Sequence, residues 1–249
     1  MRQMPYVGRS TLRLKAVAHI KQNSSIEPSA PHRGQIKSRE RVRDLAEVYT
    51  HKREVDAMLD LIPDMFPSDD DPSNTDRKFL EPACGSGNFL EEILRRKLVF
   101  VTSRRYGRSG RYEHRILRSL ASIYAVDINE DNVIESRERM RAVINSHLDN
   151  DLNTYVVSEG FAKAVEVILC TNVILANTLE DADKIELVEY HAGRSGTFTR
   201  EWSFLEEEPD DLFSDSTSRK DAKPLHYADL AANPQPVAKA LTNNRKATA

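Results

Sequence analysis

The clearest chemistry in this chain lies in Phe79-Leu80-Glu81-Pro82-Ala83-Cys84-Gly85-Ser86-Gly87-Asn88-Phe89-Leu90, where an acid precedes two closely spaced glycines. Phe79 and Leu80 read as the end of a buried strand, and Phe89 to Leu94 has the spacing of a helix. Gly85 and Gly87 let the backbone between them turn sharply and approach a ligand with no side chain in the way. A phosphate-binding loop offers bare amides and a helix N-terminus to an anion. A carboxylate such as Glu81 at that mouth repels phosphate and draws a cation or a hydroxyl. The ligand implied is cationic and phosphate-free.

Asp127 is the second candidate. It closes the apolar run Ser122-Ile123-Tyr124-Ala125-Val126-Asp127-Ile128, read as a second buried strand. An acid at the carboxyl end of such a strand accepts hydrogen bonds from ribose hydroxyls in dinucleotide-type folds. It follows Gly85 at about twice the customary spacing of roughly 20 residues, and a basic insertion accounts for the excess. That insertion, with Arg104, Arg105, Arg108 and Arg111 interleaved with Tyr106 and Tyr112, is the most basic stretch of the chain. It has the makings of phosphate contact and base stacking. It reads equally as a solvated loop.

Several elements must position these residues. Arg41 to Ile62 is expected to be helical, with Val55, Met58, Leu59 and Ile62 on one face, and Met65 to Asp76 is a loop. The glycine turn opens a helix to about Leu98. Further helices are expected from Asn132 to about Leu148 and from Phe161 to Leu169, the latter leading into a third strand, Cys170 to Leu175. Ile185, Leu187 and Glu189, then Thr197, Phe198, Trp202 and Phe204, alternate about a glycine-containing turn and predict a β-hairpin.

The string from Glu81 to Leu90 resembles the first motif of amino-methylating DNA methyltransferases, in particular the adenine-N6 modification subunits of restriction systems. The resemblance covers about Lys37 to Leu179. It implies an α/β fold with a Rossmann-like methyltransferase sheet, here abbreviated and finished by a C-terminal antiparallel hairpin. It also implies S-adenosyl-L-methionine as cofactor. Gly85 and Gly87 then shape the turn, Glu81 lies near the charged methionine part, Asp127 is on the ribose, and Pro82, Ala83 and Ile128 belong to the same binding surface. Tyr49 and Thr50 match an aromatic and a threonine that touch the cofactor in a segment resembling Gly-Glu-Val-Phe-Thr-Pro, although Ala46 and His51 depart from it. Thr50 reads equally as a helix N-cap. Asn177, in Ala176-Asn177-Thr178-Leu179, stands where the family places an acid on the adenine, and its amide can both donate and accept.

The family's catalytic loop, Asn/Asp-Pro-Pro-Tyr or -Phe, which holds the target amine and stacks on the extruded base, has no match after the hairpin's first strand. The catalytic residues are therefore unassigned. Asn233-Pro234-Gln235-Pro236 echoes the loop but follows no strong apolar strand. Two functions are expected: a DNA methyltransferase of the adenine-N6 type, or a non-catalytic accessory subunit that binds the cofactor in a DNA-modification or restriction complex. DNA is the expected partner, with a protein partner supplying specificity or catalytic elements in the second case. A nucleotide-dependent oxidoreductase shares the glycines and the ribose acid, and Glu81 argues against it.

The remaining sequence sets bounds. Residues 1–36 form a basic extension, open to reading as a transit peptide, a nucleic-acid arm or a plain extension. Residues 37–205 are the cofactor-binding domain, and 206–249 an acidic, polar, largely disordered tail. Two cysteines, Cys84 and Cys170, make neither a disulfide framework nor a metal site, which suits a reducing, cytoplasmic setting. No apolar run reaches the roughly 20 residues of a membrane span.

Overall fold

The structure, a computed structural model, describes residues 50–107, 110–151, 157–205 and 219–237. The basic extension, Tyr49 and Arg108 lie outside the described residues, as does the helix expected before Thr50. Helix α1 (Lys52–Leu59) buries Val55 and Leu59. Met58 and Ile62, expected on the same face, are 55% and 40% exposed; Ile62 lies beyond the helix, which stops at Leu59.

Strand β1 (Phe79–Glu81) leads through the glycine turn into α2 (Asn88–Leu98). Leu90, Ile93, Leu94 and Leu98 recur at helical spacing and are buried, while Arg95, Arg96 and Lys97 in the last turn oppose the helix dipole. The basic stretch is not one loop. It forms the short helix α3 (Ser103–Tyr106) and most of the first turn of α4 (Gly110–Ala121), which buries Tyr112, Ile116, Leu117 and Leu120. α4 delivers the chain to β2 (Ile123–Asp127), and α5 (Glu130–Asp151) and α6 (Glu159–Asn172) cross over to β3 (Val173–Leu175).

The three strands form a parallel sheet in the order β1-β2-β3, with Phe79 opposite Ile123 and Asp127 opposite Leu175. Every residue of β2 is buried, as an internal parallel strand requires. α2 packs on α5, and α4 on α6. The third strand is shorter than the apolar run suggested, since Cys170, Thr171 and Asn172 complete α6. The Thr171 hydroxyl donates to Val167 O at 3.1 Å, and burial of Val165, Ile168 and Leu169 continues the helical period up to that point.

The expected hairpin is β4 (Glu186–Ala192) with β5 (Thr197–Phe204). Its turn closes with Thr197 N on Arg194 O, and Ser195 (φ 53°) and Gly196 (φ 79°) are both left-handed, the pairing whose twist matches an antiparallel hairpin. β6 (Arg219–Lys220) and β7 (Leu225–His226) both pair with β5. Residues 219–237, expected in the disordered tail, are instead packed: Leu225, Tyr227 and Leu230 join the core. Their few apolar residues sit among many polar ones, so composition alone hides them. Among the described residues no helix is long and apolar enough to cross a membrane.

Candidate functional site

The loops that follow the three parallel strands converge at the carboxyl edge of the sheet. Cys84 N donates to Val126 O and Ala176 N to Asp127 O, each at 3.0 Å, and the Thr178 hydroxyl donates to Pro82 O at 2.7 Å. The glycine turn is thus tied to the end of β2 and to the loop after β3. The last of these ties joins residues 96 positions apart.

The two glycines are needed for different reasons. Gly87 has φ 85°, and a Cβ there would lie 2.7 Å from Ser136 Oγ and 3.0 Å from its Cα, so α5 can approach only a glycine. Gly85 has φ 52°, yet a Cβ there would meet nothing within 4 Å among the described residues, so that side is open to a ligand. Ser136 Oγ also donates to Gly85 O at 3.0 Å. Cys84, just before Gly85, is buried, and burial pushes its thiol up to about 12, which leaves it a packing group rather than a nucleophile.

Asp127 is 7% exposed and well supplied with donors. Gly85 N reaches Oδ2 at 2.7 Å, while Asn129 N and Asn132 Nδ2 reach Oδ1 at 2.8 and 3.2 Å. One acceptor position on Oδ2 remains. Glu81, half-buried at the end of β1, has among the described residues only a long 3.4 Å hydrogen bond from Ala83 N, and burial holds its carboxyl above the usual carboxylate range.

Pro82 and Ala83 are exposed beside it. Ile128, Leu175 and Leu179 present apolar surface at the same strand ends, 59%, 49% and 95% exposed. Asn177, partly buried in the loop after β3, accepts from Leu179 N through Oδ1 at 3.0 Å, so Nδ2 is the arm left to a ligand. Thr50 offers its carbonyl to Asn88 Nδ2 at 3.0 Å, at the start of α2. It is not the N-cap of α1; His51 holds that position, without a side-chain cap. Arg104 and Arg105 are exposed on α3 and Arg111 on α4, on the segment between α2 and β2 rather than in the loops that meet at the strand ends.

Sequence reasoning missed Asn132, Ser136 and Thr178. Asn132 and Ser136 stand four residues apart on the buried face of α5, small polar groups among apolar neighbours. That pattern was the available signal that the face meets backbone rather than side chains. No protein-family model, no curated protein and no solved structure matches the chain.

Proposed function

We propose that this chain is a Rossmann-like, S-adenosylmethionine-binding domain acting in the methylation of DNA, on adenine N6 by resemblance, in a cytoplasmic setting. The observation that carries the reading is Glu81: a half-buried, poorly hydrogen-bonded carboxylate four residues before Gly85, at the end of β1, whose neighbour β2 ends in Asp127. A buried charge without a partner is costly, and a cationic ligand offsets that cost. The residues fit the cofactor's chemistry. Bound, it supplies an electrophilic methyl group on a sulfonium.

Each side chain then has a task of its own. Glu81 balances the positive methionine part, and Gly85 leaves room for it. Asp127 accepts a ribose hydroxyl at its remaining acceptor position while its other three hydrogen bonds hold it in place. Asn177 Nδ2 donates to the adenine edge, with Ile128, Leu175 and Leu179 as its apolar surroundings. The test is calorimetric titration of S-adenosylmethionine into the full chain, Asp127→Ala and Glu81→Gln. At least tenfold weaker binding in both variants is expected; equal affinity in both overturns the assignment.

One observation favours the accessory-subunit reading of the same domain. Among the described residues β1 is an edge strand, and the chain continues into a hairpin rather than a fourth parallel strand with its proline loop. Asn233 and Gln235, in the segment that echoes that loop, lend their carbonyls to Arg200 at 2.6 and 3.1 Å. Transfer of labelled methyl groups to DNA by the purified chain alone supports the enzyme. Cofactor binding with turnover only on adding a partner supports the subunit.

A further inference from the structure

Away from the glycine turn, α3, α4 and the β4–β5 turn enclose a cavity of about 170 Å³, lined by Tyr106, Arg111, His114, Arg115, Arg118 and the turn around Ser195. Its charge is unbalanced. Arg118 pairs with Asp76, and Arg115 has the same Asp76 as its carboxylate neighbour, at 3.9 Å. Arg111 makes no ion pair or hydrogen bond among the described residues. Two of the three guanidinium groups therefore share one carboxylate, the third has none, and the lining contains none among the described residues.

Arg115 shows the imbalance most clearly. Its side chain is 15% exposed, its Nη1 donates to Thr75 Oγ1 at 3.1 Å, and its guanidinium lies 4.9 Å from the centre of the Tyr106 ring. Its Nε and Nη2 find no acceptor among the described residues. Burial and the charge of Arg118 hold it below the ordinary guanidinium value. His114 adds no charge: burial and Arg118 bring it down to about 4, so it is neutral, and its Nε2 meets Thr197 O at 3.1 Å.

The opposite wall is fixed. Gly196 O accepts from Tyr227 N at 2.9 Å, and a Cβ on Gly196 would lie 2.7 Å from His226 Nε2. The turn's own bonds use Gly193 N and Thr197 N, which leaves the amide and hydroxyl of Ser195 uncommitted among the described residues.

We propose that this cavity binds a phosphate group, held by Arg111 and Arg115 with Tyr106 and Ser195 at the rim, and that the phosphate belongs to a nucleic-acid strand. The volume is below the roughly 300 Å³ at which pockets enclose whole small molecules, so a single charged group fits better than a nucleotide. Arg115 and Arg118 are tied to residues 75 and 76, ahead of β1, whereas Glu81 and the glycine turn follow it. The phosphate is therefore a docking contact on elements other than those that carry Glu81 and the glycine turn. The proposal rests on the nucleic-acid part of the function above only for the source of the phosphate, and not on the cofactor.

Anisotropy of a short labelled DNA duplex, measured across a salt series without S-adenosylmethionine, tests it apart from the cofactor titration. Arg111→Gln is expected to weaken binding about three- to tenfold and to lower the salt slope by about 1. Ser195→Asp, which tolerates the left-handed backbone and sets a carboxylate at the rim, should weaken it further. Arg95→Gln, an exposed arginine on α2, should behave as the unmodified protein. Binding unchanged in Arg111→Gln and Ser195→Asp, or lowered equally in Arg95→Gln, overturns the proposal. Competition by inorganic phosphate beyond a chloride control of equal ionic strength would make the free ion the ligand and overturn the strand as its source; no such competition supports the strand.

Discussion

Gly85 donates its amide hydrogen to Asp127 Oδ2 at 2.7 Å, joining the first glycine of the turn to the acid that ends the second strand. The two candidate ligand contacts are thus one unit. The carboxylate orders the turn before any ligand arrives, and the ordered turn keeps the carboxylate's remaining lone pair directed outward.

Asp127→Asn should therefore weaken the fold as well as ligand binding. An amide cannot accept from Gly85 N, Asn129 N and Asn132 Nδ2 together without facing a donor with a donor. A loss of about 1–3 kcal/mol in urea unfolding is expected. An unchanged midpoint would show that the hydrogen bonds are dispensable.

The two glycines should separate on substitution. Gly85→Ala incurs only the left-handed backbone penalty, about 1–2 kcal/mol, because the space beside it is open. Gly87→Ala adds the clash with Ser136 and should cost about 2–4 kcal/mol. Paired thermal unfolding gives the difference, and Gly87→Ala combined with Ser136→Gly should recover part of the loss.

Glu81 makes a pH prediction with opposite signs for stability and binding. Its native carboxyl value is raised by burial, so the native state holds the proton more tightly than the unfolded chain, and this group's contribution to stability falls as pH rises through that raised value. A cationic ligand needs the ionised form, so its affinity should rise over the same interval. Glu81→Gln should remove both dependences, as titrations at acidic and neutral pH would reveal.

Lys97 predicts a slope at the alkaline end. It is fully buried against Thr75 O and Arg77 O, and burial lowers it from 10.5 to about 7. Between those values the unfolded chain carries the extra proton, so the contribution of Lys97 to stability rises with pH across the window. Lys97→Met should flatten that rise in urea unfolding measured from neutral to alkaline pH.

Arg200 and Asp221 form an ion pair with side chains 1% and 0% exposed, Nε to Oδ2 at 2.8 Å, and Asp221 also accepts from Arg200 N and Val237 N. Asp221→Ala leaves a buried guanidinium without its counter-charge and should cost about 3–5 kcal/mol. Loss of the 219–237 segment's protection from proteolysis should accompany it.

Much of the parallel layer was legible because its signals are local. An apolar strand, left-handed glycines and a helical period each fall within a few residues, so Phe79 to Leu98 and Ile123 to Asp127 could be placed from spacing alone. The boundary between α6 and β3 was not legible, since Val165 to Leu175 is largely apolar, with no glycine or proline to mark a helix end before the strand. The packed segment 219–237 was hidden for a related reason. Its anchor is Asp221 on Arg200, a charged pair that local composition reads as solvent-exposed.

The amino-acid sequence by itself determined the candidate ligand-binding residues: an acid before two glycines, and a second acid ending an apolar run, are chemistry carried by residue type and order. Tertiary structure alone decided how they work together. The 2.7 Å contact between Gly85 and Asp127, the approach of Ser136 to Gly87 and the sharing of Asp76 by Arg115 and Arg118 all join residues dozens of positions apart. Such contacts depend on how helices and strands pack, and packing is a property of the whole chain's buried surface rather than of any window within it.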